Sequence, residues 1–306
     1  MLAIFLRTLP FFALIGLGYG AGRARFFPPQ ATAALTKFVF YFALTAMLFR
    51  FSATLPIGEL FDPAFLAAYL TGSVLVWAIG FAVARARGLP LAEAAMEAHA
   101  CMTGNTGFLG VPMLVVLLGP QAAGPVLMVL TADMVVFSTL ITVIVTAARQ
   151  GRVAPGPIAL GLLRNPMIVS MAAGLAWSGL HLPMPQAFAD FLALLGAAAT
   201  PGALFAIGAS LAATSAERPG PAAWLSFAKL VLHPAAVAGM ALWLFPVEPF
   251  AAGVMIAAAA LPVAGNVYIL AAYFGIAMQR VSSAILISTA VSILTIPGVI
   301  AWVTHH

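Results

Sequence analysis

Charged residues are scarce in this chain of 306 residues, of which Asp, Glu, Lys and Arg make up only 7%. A soluble domain contains about 25% of them. Hydrophobic residues make up 63% of the chain, so the polar side chains are too few to cover a water-facing surface. The composition therefore excludes a soluble globular protein and predicts an all-α polytopic membrane protein without a second, soluble domain.

Other features that the sequence lacks exclude several activities. The single cysteine, Cys101, excludes an intramolecular disulfide and is expected to be a small buried apolar residue. Neither a His-Glu-x-x-His zinc motif nor a Walker lysine motif occurs, so the sequence supports neither a metalloprotease nor an ATP-driven pump. We expect no cofactor and no metal site. The net charge of +5 comes mainly from arginines scattered over short loops, which predicts membrane lipid and not nucleic acid as a partner.

What the chain does have is long apolar runs. A membrane-spanning helix needs about 20 mostly apolar residues, and reading between prolines, glycines and charges gives ten such runs. The predicted spans are 3–22, 31–52, 64–84, 91–118, 121–147, 160–179, 186–212, 222–245, 249–274 and 280–303.

Arginines indicate how these spans are oriented, because cytoplasmic connections carry an excess of Lys and Arg. The odd-numbered connections hold the arginines, whereas the even-numbered ones carry acidic residues or no Lys or Arg. The arginines concerned are Arg23, Arg25, Arg85, Arg87, Arg149, Arg152, Arg218 and Arg280. The pattern predicts a multi-pass protein with both termini on the extracytoplasmic side, and we expect it in the cell (inner) membrane.

The two halves of the chain resemble each other at an offset of 156 residues. Pro29-Gln30-Ala31 corresponds to Pro185-Gln186-Ala187, and Gly119 corresponds to Gly275. Each half holds five predicted helices, so the second half must enter the membrane upside down. We predict a 5+5 inverted repeat, as in many secondary transporters, with the first repeat at 1–148, a short cytoplasmic linker at 149–158 and the second repeat at 159–306.

The fourth predicted helix of each half is interrupted by helix breakers. The first contains "GNTGFLGVP", residues 104–112, and the second "LPVAGNVYILAAYFG", residues 261–275. Unwound backbone at membrane depth is tolerated only where it is buried in protein or lines a wet cavity. Two such breaks that cross would leave oriented helix dipoles able to bind an anion. The predicted substrate-binding residues are Asn105, Thr106, Gly107, Pro112, Pro262, Asn266 and Tyr268. An ordinary kink packed against neighbouring helices is the structural alternative.

These motifs resemble the auxin efflux carrier family. "NTGFLGVP" is similar to its Asn-Thr-x-x-x-Gly-x-Pro signature, "LPVAGNVYILAAYFG" to its ninth helix and "PGALFAIGASL", residues 201–211, to its seventh. The resemblance covers essentially the whole chain. It implies a scaffold and a crossover-bearing transport domain, transport of small organic anions such as malonate, malate or auxin-like acids, and dimerisation through the scaffold helices. The short middle loop resembles that of bacterial members.

Four ionisable residues lie within or near the predicted spans and are candidates for coupling or charge relay. They are Asp133, Glu97, Lys229 and His233. Each has a structural alternative: Asp133 could pair with a cation, Lys229 could extend to the membrane surface, His233 could bond at the kink before Pro234, and Glu97 could be interfacial. The sequence leaves open whether H⁺, Na⁺ or neither ion drives transport, and it names neither the substrate nor the direction.

The sequence thus predicts a secondary-active or facilitative transporter of small carboxylates that works by alternating access and is not an enzyme. A sodium-coupled bile-acid-type symporter and a sodium/proton antiporter share the broken-helix layout and are the alternatives within the transporter class. A channel would be expected to carry a repeated ring of filter groups. An intramembrane serine protease using Ser210 and His233 is a remote alternative, since a Gly-x-Ser triplet is weak evidence in a chain with 27 glycines.

Overall fold

The computed structural model describes residues 2–54, 62–150, 155–213 and 219–305. Within these ranges the chain is helical, and the only β-type pairing is one isolated bridge. The helices in chain order are α1 (Leu2–Arg23), α2 (Pro29–Thr54), α3 (Pro63–Ala86), α4 (Leu91–Met102), α5 (Thr106–Leu118), α6 (Pro120–Ala148), α7 (Pro155–Leu163), α8 (Pro166–Gly179), α9 (Gln186–Leu211), α10 (Gly220–Leu244), α11 (Pro249–Ala259), α12 (Gly265–Phe274) and α13 (Met278–His305).

Seven of these helices are long and apolar enough to cross a membrane. They are α1, α2, α3, α6, α9, α10 and α13, and each ends within two residues of a predicted run. This confirms a multi-pass helical membrane protein. The other three predicted runs are each divided into two shorter helices: α4 and α5, α7 and α8, and α11 and α12.

The division of the sixth run corrects the prediction of one continuous helix over 160–179. Helix α7 ends at Leu163, and Asn165 caps α8 by accepting a hydrogen bond of 3.0 Å from the Met167 N–H. Pro166 disfavours helical backbone at the residue before it, and Asn165 is accordingly extended, with ψ of 114°. The Asn-Pro pair therefore ends one helix and begins the next.

The core of the molecule is built around the interrupted helices. All nine residues from Ala94 to Met102 in α4 are buried, as are all eleven from Val254 to Ala264 in and after α11. A helix that is buried on every side needs small or apolar residues all round, and both stretches are rich in alanine. The abundance of alanine thus allows neighbouring helices to enclose the two interruptions.

Two close helix contacts are related by the same offset of 156 as the sequence repeat. A Cβ on Gly18 of α1 would lie 2.1 Å from the Phe205 carbonyl oxygen of α9, and one on Gly174 of α8 would lie 2.6 Å from the Phe49 carbonyl oxygen of α2. Residues 18 and 174 differ by 156, and so do 49 and 205. Glycine is required at both contacts because the backbones approach too closely for any side chain.

The glycine pair of the repeat has a positive φ in both halves. Gly119 follows α5 with φ of 96°, and Gly275 follows α12 with φ of 63°. Positive φ is open to glycine at little steric cost. Both glycines therefore end the second half of an interrupted helix with a backbone that favours glycine, although their ψ angles differ, 167° at Gly119 and 34° at Gly275.

Part of the predicted linker and some predicted loop arginines are not covered by these ranges. Residues 151–154, which include Arg152, lie outside the described residues, as do Arg218 and His306. The described parts of the linker belong to helices: α6 continues as backbone helix to Gln150, and α7 begins at Pro155.

Candidate functional site: the crossing of two interrupted helices

The two interruptions meet and pair through their backbones. The Asn105 N–H donates a hydrogen bond of 2.9 Å to the Pro262 carbonyl, and the Ala264 N–H donates one of 3.1 Å to the Thr103 carbonyl. Together they form the isolated antiparallel bridge. Each interruption thus satisfies backbone groups that the other has freed, which explains how unwound backbone is accommodated in an apolar core.

Both second half-helices begin at this crossing without a side-chain cap. Helix α5 starts after Asn105 and α12 after Ala264, and neither preceding residue makes a side-chain cap bond. The first N–H groups of a helix have no partner within it, and together they carry roughly half a positive charge. Two uncapped helix starts side by side form an arrangement suited to an anion.

A cavity of about 540 Å³ lies beside the crossing. Its walls come from α2 and the α7–α8 junction on one side, and from α6 and the two interruptions on the other. Its polar lining consists of Thr36, Lys37, Tyr41, His99, Thr103, Asn105, Asp133, Ser138, Thr139, Thr142, Asn165 and Asn266. This size is within the range of small-molecule sites.

Two polar atoms in the cavity wall have no hydrogen-bond partner. They are Asn266 Oδ1 and Thr139 Oγ1, both of which are buried. Buried polar groups in proteins are almost always paired, so an unpaired one calls for an explanation. Because the amide of Asn266 can be turned so that its nitrogen takes the place of the oxygen, it could donate to a bound oxygen atom. These two atoms are available to a polar ligand.

The structure brings some predicted substrate-binding residues into the cavity wall. Asn105, Gly107 and Asn266 line the cavity. Its space also reaches the first turn of α12, where a Cβ on Gly265 would meet nothing within 4 Å. Both asparagines therefore lie at a half-helix start and at the cavity.

The other predicted substrate-binding residues lie outside the cavity wall. Thr106 is buried and directed towards α6, and Pro262 contributes its carbonyl to the crossing. Pro112 lies within the first turn of the α-helical part of α5, several residues beyond the interruption. Tyr268 is 42% exposed and is not among the residues that line the cavity. These residues would shape the site without touching a ligand in it.

Asp133 joins α6 to the crossing and to α3. Its carboxylate accepts a hydrogen bond of 2.7 Å from the Tyr69 hydroxyl, and it lies 3.4 Å from Thr106 Oγ1. Asp133 occupies a π-helical turn, residues Ala132–Phe137, a feature often found at functional sites. It also lines the cavity, so its charge is felt by whatever the cavity binds.

Lys229 of α10 is fully buried and lies next to Gly104 of the first interruption. The prediction that it could extend to the membrane surface is therefore wrong. Its ammonium donates to the Ala259 carbonyl at the end of α11, and it lies 3.1 Å from His233 Nδ1. An ammonium can only donate, so Nδ1 accepts and Nε2–H donates to Ser73 Oγ, 2.9 Å away.

Glu97 is the centre of a separate buried ion cluster in which two arginines face one carboxylate. Arg87 Nη1 is 2.7 Å from Glu97 Oε2, and Arg280 Nε is 2.6 Å from Oε1. Arg280 also pairs with Glu93. Glu97 has no exposed surface, and its partners Arg87 and Arg280 belong to the arginine-bearing connections, so its interfacial position stays a prediction. The cluster ties α4 to the start of α13.

The geometry does not support a serine–histidine dyad. Ser210 Oγ donates a hydrogen bond of 2.8 Å to the Ile207 carbonyl of its own helix. Both ring nitrogens of His233 are engaged by Lys229 and Ser73.

In the described part of the chain, no three His, Cys, Asp or Glu side chains are grouped as metal ligands.

Sequence reasoning missed several residues that the structure places at the site. Lys37 is the one Lys or Arg among the described residues lining the cavity. A lysine inside a predicted span was a signal that could have identified it. Ser138, Thr142 and Asn165 gave no such signal, because their contribution depends on how α6 and α8 pack.

Comparison with known proteins agrees with the motifs. A family profile described as "Membrane transport protein" matches residues 3–157 and 155–300. A protein of Rhizobium meliloti (strain 1021), named "Putative malonate transporter", is 33% identical over 300 residues, which cover 96% of this chain and 93% of the relative.

Proposed function

The chain belongs to the membrane transport protein family, that of the auxin efflux carriers whose motifs it carries, and from this premise we propose that it transports small carboxylates by alternating access. The observation that carries the proposal is the pair of uncapped half-helix starts beside a cavity with two unpaired polar atoms. The helix starts favour an anionic ligand, and the Thr139 hydroxyl and a turned Asn266 amide can donate hydrogen bonds to it.

In this proposal the carboxylate binds between Asn105 and Asn266, against the first turns of α5 and α12. The two amides donate to its oxygens, and the helix dipoles stabilise its charge. Asp133 lines the same cavity and would oppose an anion if nothing balanced its charge. Lys229 would supply that balance. Tyr69, which bonds Asp133, packs edge-on against His233 with ring centroids 5.9 Å apart, and His233 Nδ1 lies 3.1 Å from the Lys229 ammonium.

The Rhizobium meliloti relative is named for malonate, and we propose the dicarboxylate class for this chain. A second carboxylate needs a second cationic or donor group. Lys37 lines the same cavity from α2, together with the hydroxyl of Thr36 and the amide of Asn165. One carboxylate would bind at the crossing and the other near Lys37. The ligand would thus bridge the interrupted helices α5 and α12 on one side and α2 on the other.

Alternating access requires one group of helices to move as a rigid body against another. We propose a 5+5 inverted repeat, in which α3–α6 and α10–α13 move against α1, α2 and α7–α9. The offset of 156 between the Gly18–Phe205 and Gly174–Phe49 contacts supports the repeat, and both contacts lie within the second group. The rings of Phe40 and Phe108, stacked with centroids 6.1 Å apart, bridge the two groups and would separate when they move.

The cavity lies on one side of the crossing. Thr36 near the start of α2 and Thr142 near the end of α6 both line it, and these helix ends are on the side of the arginine-bearing connections. With the positive-inside orientation of an inner-membrane protein, the structure would be open towards the cytoplasm and both termini would be extracytoplasmic. A homodimer through the stationary helices remains part of the proposal.

Counterflow in proteoliposomes tests the proposed function. Vesicles loaded with unlabelled malonate should accumulate labelled malonate, and external malate should compete. Vesicles that contain the Asn105→Ala variant should not accumulate it. Wild-type protein that moves no mono- or dicarboxylate under any ion gradient would overturn the proposal.

A further inference from the structure

The C-terminal end of the first half of the second interrupted helix is occupied by a side-chain cation. Helix α11 ends at Ala259, and its carbonyl accepts a hydrogen bond from the Lys229 ammonium. The last carbonyls of a helix have no partner within it and carry roughly half a negative charge. In transporters with interrupted helices, such carbonyls are among the groups that coordinate Na⁺.

The surroundings of Lys229 are those of a bound cation. Its ammonium contacts a carbonyl and an imidazole nitrogen, and the carboxylate of Asp133 joins the same cluster through Tyr69, whose ring packs against His233. The absence of a side chain at Gly104 provides space, since a Cβ there would be 3.3 Å from Lys229 Nζ and 3.3 Å from the Ala258 carbonyl oxygen. The ammonium therefore lies where the two interruptions meet.

The two halves of the repeat differ at this point. At the offset of 156, Lys229 corresponds to Ser73, so the first half has a neutral hydroxyl where the second has an ammonium. At the end of α4 the Thr103 carbonyl is instead satisfied by the Ala264 N–H. One negative helix end is thus closed by backbone pairing and the other by Lys229.

We propose that Lys229 is a built-in cation that takes the place of a coupling metal ion. Carboxylate binding then needs no Na⁺, because the positive charge that balances Asp133 and the α11 carbonyls is covalently attached. Removal of the side chain beyond Cβ in Lys229→Ala leaves a space beside the Ala259 carbonyl, His233 and Gly104, which a small monovalent cation should enter. The effect on carboxylate affinity rests on the proposed function, whereas the cation site does not.

Thermal unfolding of the purified protein in NaCl, methylammonium chloride or choline chloride, at equal ionic strength, tests the cation site. The wild-type melting temperature should be the same in the three salts. Lys229→Ala should melt lower in choline, which is too large for the space, and should be stabilised as Na⁺ or methylammonium is added. Lys229→Met fills the space without a charge, so its melting temperature should not respond to Na⁺.

Malonate titrations in the same salts test the functional part. Wild-type affinity should not change between Na⁺ and choline, whereas Lys229→Ala should lose about tenfold or more in choline and recover part of it with methylammonium. If the wild type did not bind malonate but the melting temperatures depended on salt as expected, the proposed substrate would be rejected and the cation site would be retained. A wild-type melting temperature or affinity that depends on Na⁺, or a Lys229→Ala variant that melts equally in all three salts, would overturn the inference.

Discussion

The backbone N–H of Asn105 donates a 2.9 Å hydrogen bond to the carbonyl of Pro262, so each interrupted helix is held open by the other. The neighbouring Val263 N–H is satisfied from outside the pair, by Ser288 Oγ of α13 at 3.1 Å. The crossing is therefore a small, fully buried polar structure inside an alanine-rich core. Its stability depends on a few buried hydrogen bonds.

Ser288→Ala should destabilise the protein, because it leaves the buried Val263 N–H without an acceptor. A buried donor that loses its partner costs about 1–3 kcal/mol. The melting temperature in detergent should fall, and that of the control Ser282→Ala should not, since Ser282 on the same helix is only partly buried and its hydroxyl bonds the Gln279 carbonyl of its own helix. Equal melting temperatures of the two variants would contradict the importance of this bond.

Gly18→Ala should disrupt the packing of α1 on α9. A Cβ at this position would lie 2.1 Å from the Phe205 carbonyl oxygen, so the helices must separate, at a cost of about 1–3 kcal/mol for overpacking. Gly20 on the same helix is exposed and would meet nothing within 4 Å, and Gly20→Ala should be neutral or slightly stabilising. Thermal unfolding of both variants measures the difference, and a harmless Gly18→Ala would show that this contact is not tight.

Glu97→Gln should be more damaging than Glu93→Gln. The first change leaves Arg87 and Arg280 facing a neutral amide in a buried cluster, and loss of one partner of a buried ion pair costs about 3–5 kcal/mol. Glu93 is 30% exposed and its loss leaves the Arg280–Glu97 pair intact, so its cost should be nearer that of a surface pair, about 0–1 kcal/mol. If both variants lowered the melting temperature by similar amounts, Glu97 would not be the centre of the buried ion cluster.

Lys37→Gln should affect dicarboxylates more than monocarboxylates. If the second carboxylate binds near Lys37, loss of a charged hydrogen-bond partner should weaken malonate binding by about tenfold or more. Acetate and the monomethyl ester of malonate should be affected less, and Lys37→Arg should retain most of the malonate affinity. Competition against labelled malonate measures the affinity of Lys37→Gln for the three ligands and of Lys37→Arg for malonate. An equal loss of affinity for mono- and dicarboxylates would place the second carboxylate elsewhere.

Much of the fold could be predicted from the sequence because a membrane span is a local property. Length and hydropathy were enough to place the ends of seven helices within two residues. The break at Asn165 was missed although its Asn-Pro pair is a known signal for a helix start. The break was missed because residues 160–179 were interpreted as one continuous span.

The site could be predicted only in part. The breakers identified where the helices stop, and Asn105 and Asn266 do line the cavity. The backbone pairing of residues 103–105 with 262–264 joins segments about 160 residues apart, and no local pattern encodes it. The same applies to Lys229, because its distance along the helix suggested the surface, whereas its neighbours are set by how α10 packs on α11.

Isothermal titration of malonate into the purified wild type, Asn105→Ala and Asn266→Ala tests the central claim that a carboxylate binds between the two half-helix starts. Gln186→Ala, an exposed amide at the start of α9, is the control, and each variant is first shown to melt cooperatively without ligand. The account predicts that each asparagine variant binds malonate about tenfold or more weakly, while the control matches the wild type. Wild-type affinity in both asparagine variants would contradict it.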